Sequence, residues 1–176
     1  MKIEIKANGK TIQTEINEEQ AKILGLTIDK PKTGYERVEK GSTYFFNDGL
    51  SDMNRTKEEK DIVDQGFYDS GNYYSDYEIA KNNARADRLL RCLRQWQAQN
   101  DEVISKEDWN NESKKKWFII YSSEEMYAEY YYIMRLPNTI YFTTKEKAEE
   151  AIEVFRDELL WYFTEYVQRL DEVQNG

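Results

Sequence analysis

Polar and apolar positions alternate at the start of the chain. Ile3 and Ile5 share one face of Lys2 to Ala7, and Ile12 and Ile16 recur after Thr11. Asn8-Gly9 stands between the two runs. Both residues tolerate positive φ, so residues 2–16 read as a β-hairpin. Asn17-Glu18-Glu19-Gln20 has capping-box spacing ahead of Ala21, Ile23, Leu24 and Leu26. Gly25 limits that helix to about two turns. Residues 1–30 therefore form a ββα appendage or module, too small to bury much surface alone. Asp29 to Gly34, with Pro31 and two lysines, is the linker candidate.

Residues 34–176 read as the main domain, in halves 34–100 and 115–176. In the first half Thr43-Tyr44-Phe45-Phe46 has the composition of a strand. A polar stretch from Asn47 to Gln65 follows. Gly71-Asn72-Tyr73-Tyr74 then runs through Ser75-Asp76-Tyr77-Glu78 into a helix. In the second half Lys116 to Tyr121 is a strand, Ser122 to Glu125 a turn, and Met126 to Arg135 a second strand. Ile140-Tyr141-Phe142 then runs through Thr143-Thr144-Lys145-Glu146 into a helix. The junctions match: Tyr73-Tyr74-Ser75 with Tyr141-Phe142-Thr143, Glu78 with Glu146, Ala80 with Ala148. Ser75 and Thr143 are the cap candidates, each with a Glu three residues on. Either the halves are a duplication or two strand-to-helix junctions have converged on one capping pattern.

The first helix spans about Asp76 to Gln97, with Ile79, Ala86, Leu89, Leu90 and Leu93 on one stripe. Lys81, Arg85, Arg88 and Arg91 fall near the opposite side. The second spans about Lys145 to Val173, its stripe running from Ala148 through Phe155 and Phe163 to Leu170. Trp161 points off that stripe, which makes it a candidate contact between helices or with a partner. The expected fold class is α+β: an N-terminal hairpin and short helix, then two units of antiparallel sheet plus long helix.

Composition narrows the chemistry. Of 176 residues, 34 are acidic and 25 basic, giving a net charge of -9. Such a balance suits a disordered chain, but 14 Tyr, 7 Phe and 4 Trp supply a core. Histidine is absent, which removes Ser–His and Cys–His couples and imidazole metal sites. Cys92 is the single cysteine, so neither a disulfide framework nor a thiolate cluster is expected. No phosphate-binding loop or nucleophile elbow is present. No charged-then-apolar leader or run of roughly 18 apolar residues is seen, and the expectation is a cytoplasmic protein that does not bind membranes.

Two constellations could engage a partner. Asp48, Asp52, Glu58, Glu59, Asp61, Asp64 and Asp69 fall in one segment with few cations. They read as a solvated acidic loop or as a surface for a basic partner. Lys81, Arg85, Arg88 and Arg91, or Lys114-Lys115-Lys116, could take the phosphates of RNA or could pair with the excess acid. No catalytic set, metal site or cofactor site is expected, and direct DNA binding is not.

Gly41-Ser42-Thr43-Tyr44-Phe45-Phe46, then Gly71-Asn72-Tyr73-Tyr74-Ser75, resembles small proteins of phages and mobile elements of Gram-positive bacteria. Ala84 to Arg91, Leu93-Arg94-Gln95-Trp96, Thr139 to Phe142 and Glu158 to Tyr166 are similar to the same group. The resemblance covers about residues 35–175. Part of that pool consists of anti-CRISPR proteins, and the N-terminal hairpin and helix resemble a module found there. The resemblance implies an inhibitor that binds a type II RNA-guided nuclease, with or without its guide RNA. The alternatives are an RNA- or ribonucleoprotein-binding adaptor using the arginine face, and a phage or plasmid structural or regulatory protein with no defence role.

Overall fold

The structure, a computed structural model, describes residues 2–7, 10–24, 32–49 and 53–173. It falls into two units, Met1–Lys32 and Thr33–Gly176. In the first, Lys2–Ala7 (β1) and Lys10–Glu15 (β2) pair antiparallel, with Ile5 opposite Ile12. The Asn8-Gly9 turn lies outside the described residues, as does Gly25. Glu18–Ile23 forms α1. Its capping box is as expected: Asn17 N–H donates to Gln20 Oε1 at 3.0 Å and Gln20 N–H to Asn17 Oδ1 at 2.9 Å.

The second unit holds two hairpins, each tied to the helix that follows. Thr43–Asn47 (β3) pairs antiparallel with Met53–Lys57 (β4). Ile62–Asp69 (α2) follows, then the long Tyr77–Asn100 (α3) and the short Lys106–Asn110 (α4). Lys116–Ser122 (β5) pairs antiparallel with Glu125–Tyr131 (β6). Lys145–Val154 (α5), Arg156–Thr164 (α6) and Leu170–Val173 (α7) complete the chain. The fold is α+β, as expected. No helix of the described residues is long and apolar enough to cross a membrane.

The matched junctions are geometrically equivalent. Tyr74 exchanges two backbone hydrogen bonds with Phe45 of β3, and Phe142 does the same with Trp117 of β5. In both halves the helix cap lies two residues beyond the bridge. Ser75 Oγ then donates to Glu36, and Thr143 Oγ1 to Asp101. Ala80 and Ala148, one turn into each helix, are fully buried where a larger side chain would hold the layers apart.

Two apolar clusters share α3. Near its start Ile79 and Ala80 pack with Tyr74, Phe45 and Tyr35. Farther along Leu89 and Leu93 pack with Phe142, Ala148, Ala151 and Leu159. On the other face of the β5–β6 hairpin, Phe118 stacks on Tyr131 at 5.1 Å and meets Tyr141 edge-on at 5.6 Å.

Several details differ from the sequence reading. The helix caps are Asp76 and Thr144, each one residue later than expected, because Ser75 and Thr143 turn toward carboxylates. The C-terminal helix is three helices: the path breaks at Phe155, whose φ of -112° and ψ of 18° leave the helical region, and again after Thr164. Trp161 of α6, by contrast, makes the contact between helices that its place off the stripe offered: it is buried, with the guanidinium of Arg85 of α3 3.9 Å above its ring. β6 stops at Tyr131 instead of running to Arg135. The polar stretch after β3, read as a solvated acidic loop, holds an edge strand and the start of a helix.

Candidate functional site

The turn between β4 and α2 carries Glu58, Glu59 and Asp61, and the first turn of α2 adds Asp64. Glu58 and Asp64 are buried, at 0% and 4% exposure. Arg37 grips Glu58 in a fork, Nη2 to Oε1 at 2.9 Å and Nε to Oε2 at 3.3 Å. The Tyr73 hydroxyl adds a donor at 2.7 Å, and Lys60 N–H another at 2.9 Å. Asp64 accepts from the Tyr44 hydroxyl at 2.8 Å and from the amides of Glu59, at 2.7 Å, and Asp61, at 3.3 Å. The rings of Tyr44 and Tyr73 stack 4.0 Å apart, joining the two carboxylates through one aromatic pair.

These contacts keep both carboxylates charged. The guanidinium of Arg37 lowers the Glu58 pKa against the opposing effect of burial. Burial pushes Asp64 upward, but the Glu59 amide and the Tyr44 hydroxyl outweigh it, so its pKa is lowered. Burial beside Glu58 raises the Tyr73 hydroxyl to about 12, so it remains a donor at any ordinary pH.

The backbone from Glu59 to Asp61 is therefore pinned on both sides by buried carboxylates. Asp61 caps α2, accepting from the amides of Val63 and Asp64, while Asp64 returns a bond to Asp61 N–H. Lys60 sits at φ 59°, a strained conformation for a side-chain-bearing residue, in the middle of this clamp. What the clamp presents outward is Glu59, Asp61, Ile62 and Val63. Ile62 is 87% exposed and Val63 58%, at the first turn of a helix whose other side packs Phe67 against Phe46.

The seven acidic candidates thus separate. Asp48, Glu59, Asp61 and Asp69 are exposed. Glu58 and Asp64 are not surface charges, because the fold uses them as internal acceptors. Asp52 lies outside the described residues. The basic candidates separate too. Arg85 binds Glu158 through Nε at 2.9 Å and Nη2 at 3.0 Å. Lys81 lies 3.7 Å from Glu78, and Arg91 reaches the Gly49 carbonyl at 3.5 Å. Arg88 is exposed. Lys114 pairs with Asp108, Lys115 lies 4.1 Å over the Tyr130 ring, and Lys116 is buried with its amine on backbone carbonyls of Asn111 and Tyr132.

Arg37, Tyr44, Tyr73, Ile62 and Val63 were missed by reading charge alone. The available signals were Asp61-x-x-Asp64, which is a capping box, and two core tyrosines whose hydroxyls need acceptors. Elsewhere a half-open cavity of about 200 Å³ lies between α3, α6 and Pro137–Ile140. Leu89, Leu93, Ile140, Phe142 and Leu159 are among its walls, and no carboxylate or amine lines it. Among the described residues no group of acidic or cysteine side chains could hold a metal ion. Comparison with known protein families, curated proteins and solved structures finds no match to this chain.

Proposed function

We propose that the chain is a non-enzymatic inhibitor that binds a type II RNA-guided effector nuclease or its guide complex. The supporting observation is the clamped β4–α2 turn. Two carboxylates are buried and fully bonded to fix a surface that leaves Ile62 and Val63 in water beside Glu59 and Asp61. A turn already held in one conformation loses little entropy on docking. Its exposed apolar pair gives a central contact, and its carboxylates complement the positively charged channel in which such nucleases hold their heteroduplex.

The test is capture of the guide-loaded and the guide-free nuclease in parallel, with target cleavage as the second readout. Binding to neither form removes the proposal. Glu59→Lys with Ile62→Ser should abolish capture and inhibition while the fold survives, because both side chains face solvent. Arg88→Glu should have little effect. If instead Arg88→Glu abolishes binding and affinity falls steeply with salt, the RNA-binding alternative holds.

A further inference from the structure

The edges of the β3–β4 sheet are unequal. On the β3 side, Phe45 exchanges both its backbone hydrogen bonds with Tyr74. Two residues on, the Asn72 side chain imitates another strand: its Oδ1 accepts from Asn47 N–H at 2.8 Å and its Nδ2 donates to the Asn47 carbonyl at 2.8 Å. Phe45 and Asn47 therefore turn their backbone groups away from β4. Their register partners are Arg55 and Met53. In an antiparallel pair, residues opposite such positions direct their own N–H and C=O outward, to the far edge. Thr43 and Lys57 are opposite by the same alternation.

The free edge of β4 thus carries outward backbone groups at Met53, Arg55 and Lys57. No intramolecular partner for them is seen among the described residues. Asn54, Arg55, Thr56 and Lys57 are exposed on both faces. In a chain of net charge -9, Arg55 and Lys57 form no ion pair among the described residues. The corresponding edge of β6 is treated differently: Glu129 Oε1 takes the Tyr130 N–H at 2.9 Å, and Ala128 is buried.

We propose that the outer edge of β4 is a docking site for an extended acidic polypeptide segment, which adds to the sheet as a third strand. Outward N–H and C=O groups at every second residue match a polypeptide backbone and not a phosphodiester one. Arg55 and Lys57 sit two residues apart on the same side of the pleat, so they select Asp or Glu at alternate positions of the incoming strand. Charged edge strands commonly serve only to prevent aggregation, and the experiment separates that role from docking. This inference is independent of the inhibitor reading.

The probe is a fluorescent peptide with Glu at alternate positions and Thr or Val between, titrated onto the full chain. Two controls are the same peptide N-methylated at alternate residues and a poly-uridine 12-mer. The expected result is saturable peptide binding, with slowed amide exchange at Met53, Arg55 and Lys57. N-methylation should weaken binding by about tenfold or more, since it removes the backbone pairing that supplies affinity in this mode. Arg55→Pro should do the same, because its outward N–H is not used inside the hairpin and edge strands tolerate proline. Arg55→Glu with Lys57→Glu should abolish binding. No binding at millimolar peptide overturns the proposal. So does binding indifferent to N-methylation, or tighter binding of the RNA than of the peptide.

Discussion

Tyr44 and Tyr73 show how a single hydroxyl can decide the meaning of a nearby carboxylate. Each donates to a buried acid, and each ring is itself fully buried. Tyr44→Phe keeps the ring stack but leaves Asp64 one donor short, at a cost of about 1–3 kcal/mol. Urea melts of the variant should show a lower midpoint with an unchanged slope. Glu58→Lys or Asp64→Lys, by contrast, puts a cation into a site built of donors, and the expected outcome is loss of the folded state by circular dichroism. Charge runs in a sequence do not reveal this distinction. Glu58 and Glu59 are adjacent and chemically alike, yet one is fully buried and the other exposed, because strand alternation and the turn send them to opposite sides.

The elements were legible where periodicity and caps agreed, and obscure where tertiary contacts decided. The N-terminal hairpin, β3, β5, α3 and the α1 capping box follow from local patterns. Met53-Asn54-Arg55-Thr56-Lys57 has no apolar alternation because only Met53 packs on a cluster and Asn54 to Lys57 meet water on both faces, so nothing in the pattern marks a strand. Gly66 and the buried Asp64 likewise disguised α2. The break at Phe155 has no Pro or Gly to announce it. Ser75-Asp76 and Thr143-Thr144 each offer two acceptable caps, and only the carboxylates of Glu36 and Asp101 select between them. Asp76→Ala and Thr144→Ala should each cost about 0.5–2 kcal/mol, and Asp76→Asn almost nothing. Ser75→Ala should cost less than Asp76→Ala, since Glu36 keeps its donors from Thr33 and Gly34. If thermal melts reverse that order, the cap assignment fails. Gly34→Ala tests the same junction from the other side. Gly34 has φ +91°, and an added Cβ would stand 2.8 Å from Ile79 Cγ1, so the variant should be destabilised on both counts.

At the scale of the whole molecule, the depressed carboxylates set the response to acid. Burial works to raise Glu36, but hydrogen bonds from the Thr33 amide and hydroxyl and from Gly34 outweigh it, and its pKa is lowered to about 2. Glu58, Asp64, Asp108 and Glu158 are shifted in the same direction. A group whose folded pKa lies below its unfolded value stabilises the fold fully above the unfolded value. That contribution is lost as pH falls, for Glu36 between 4.5 and about 2. Stability should therefore be flat near neutrality and decline through that window. Every one of these carboxylates, its partners and both apolar clusters lie in Thr33–Gly176. A fragment spanning residues 32–176 should then melt within a few degrees of the full chain and share its acid midpoint. The fragment must begin at Lys32 and not at Thr33, because the Thr33 amide donates to Glu36 and a free terminal amine there would alter the contact. A large drop in the melting temperature of that fragment, or an acid midpoint displaced toward neutrality, would show that residues 1–31 contribute to the fold of the second unit.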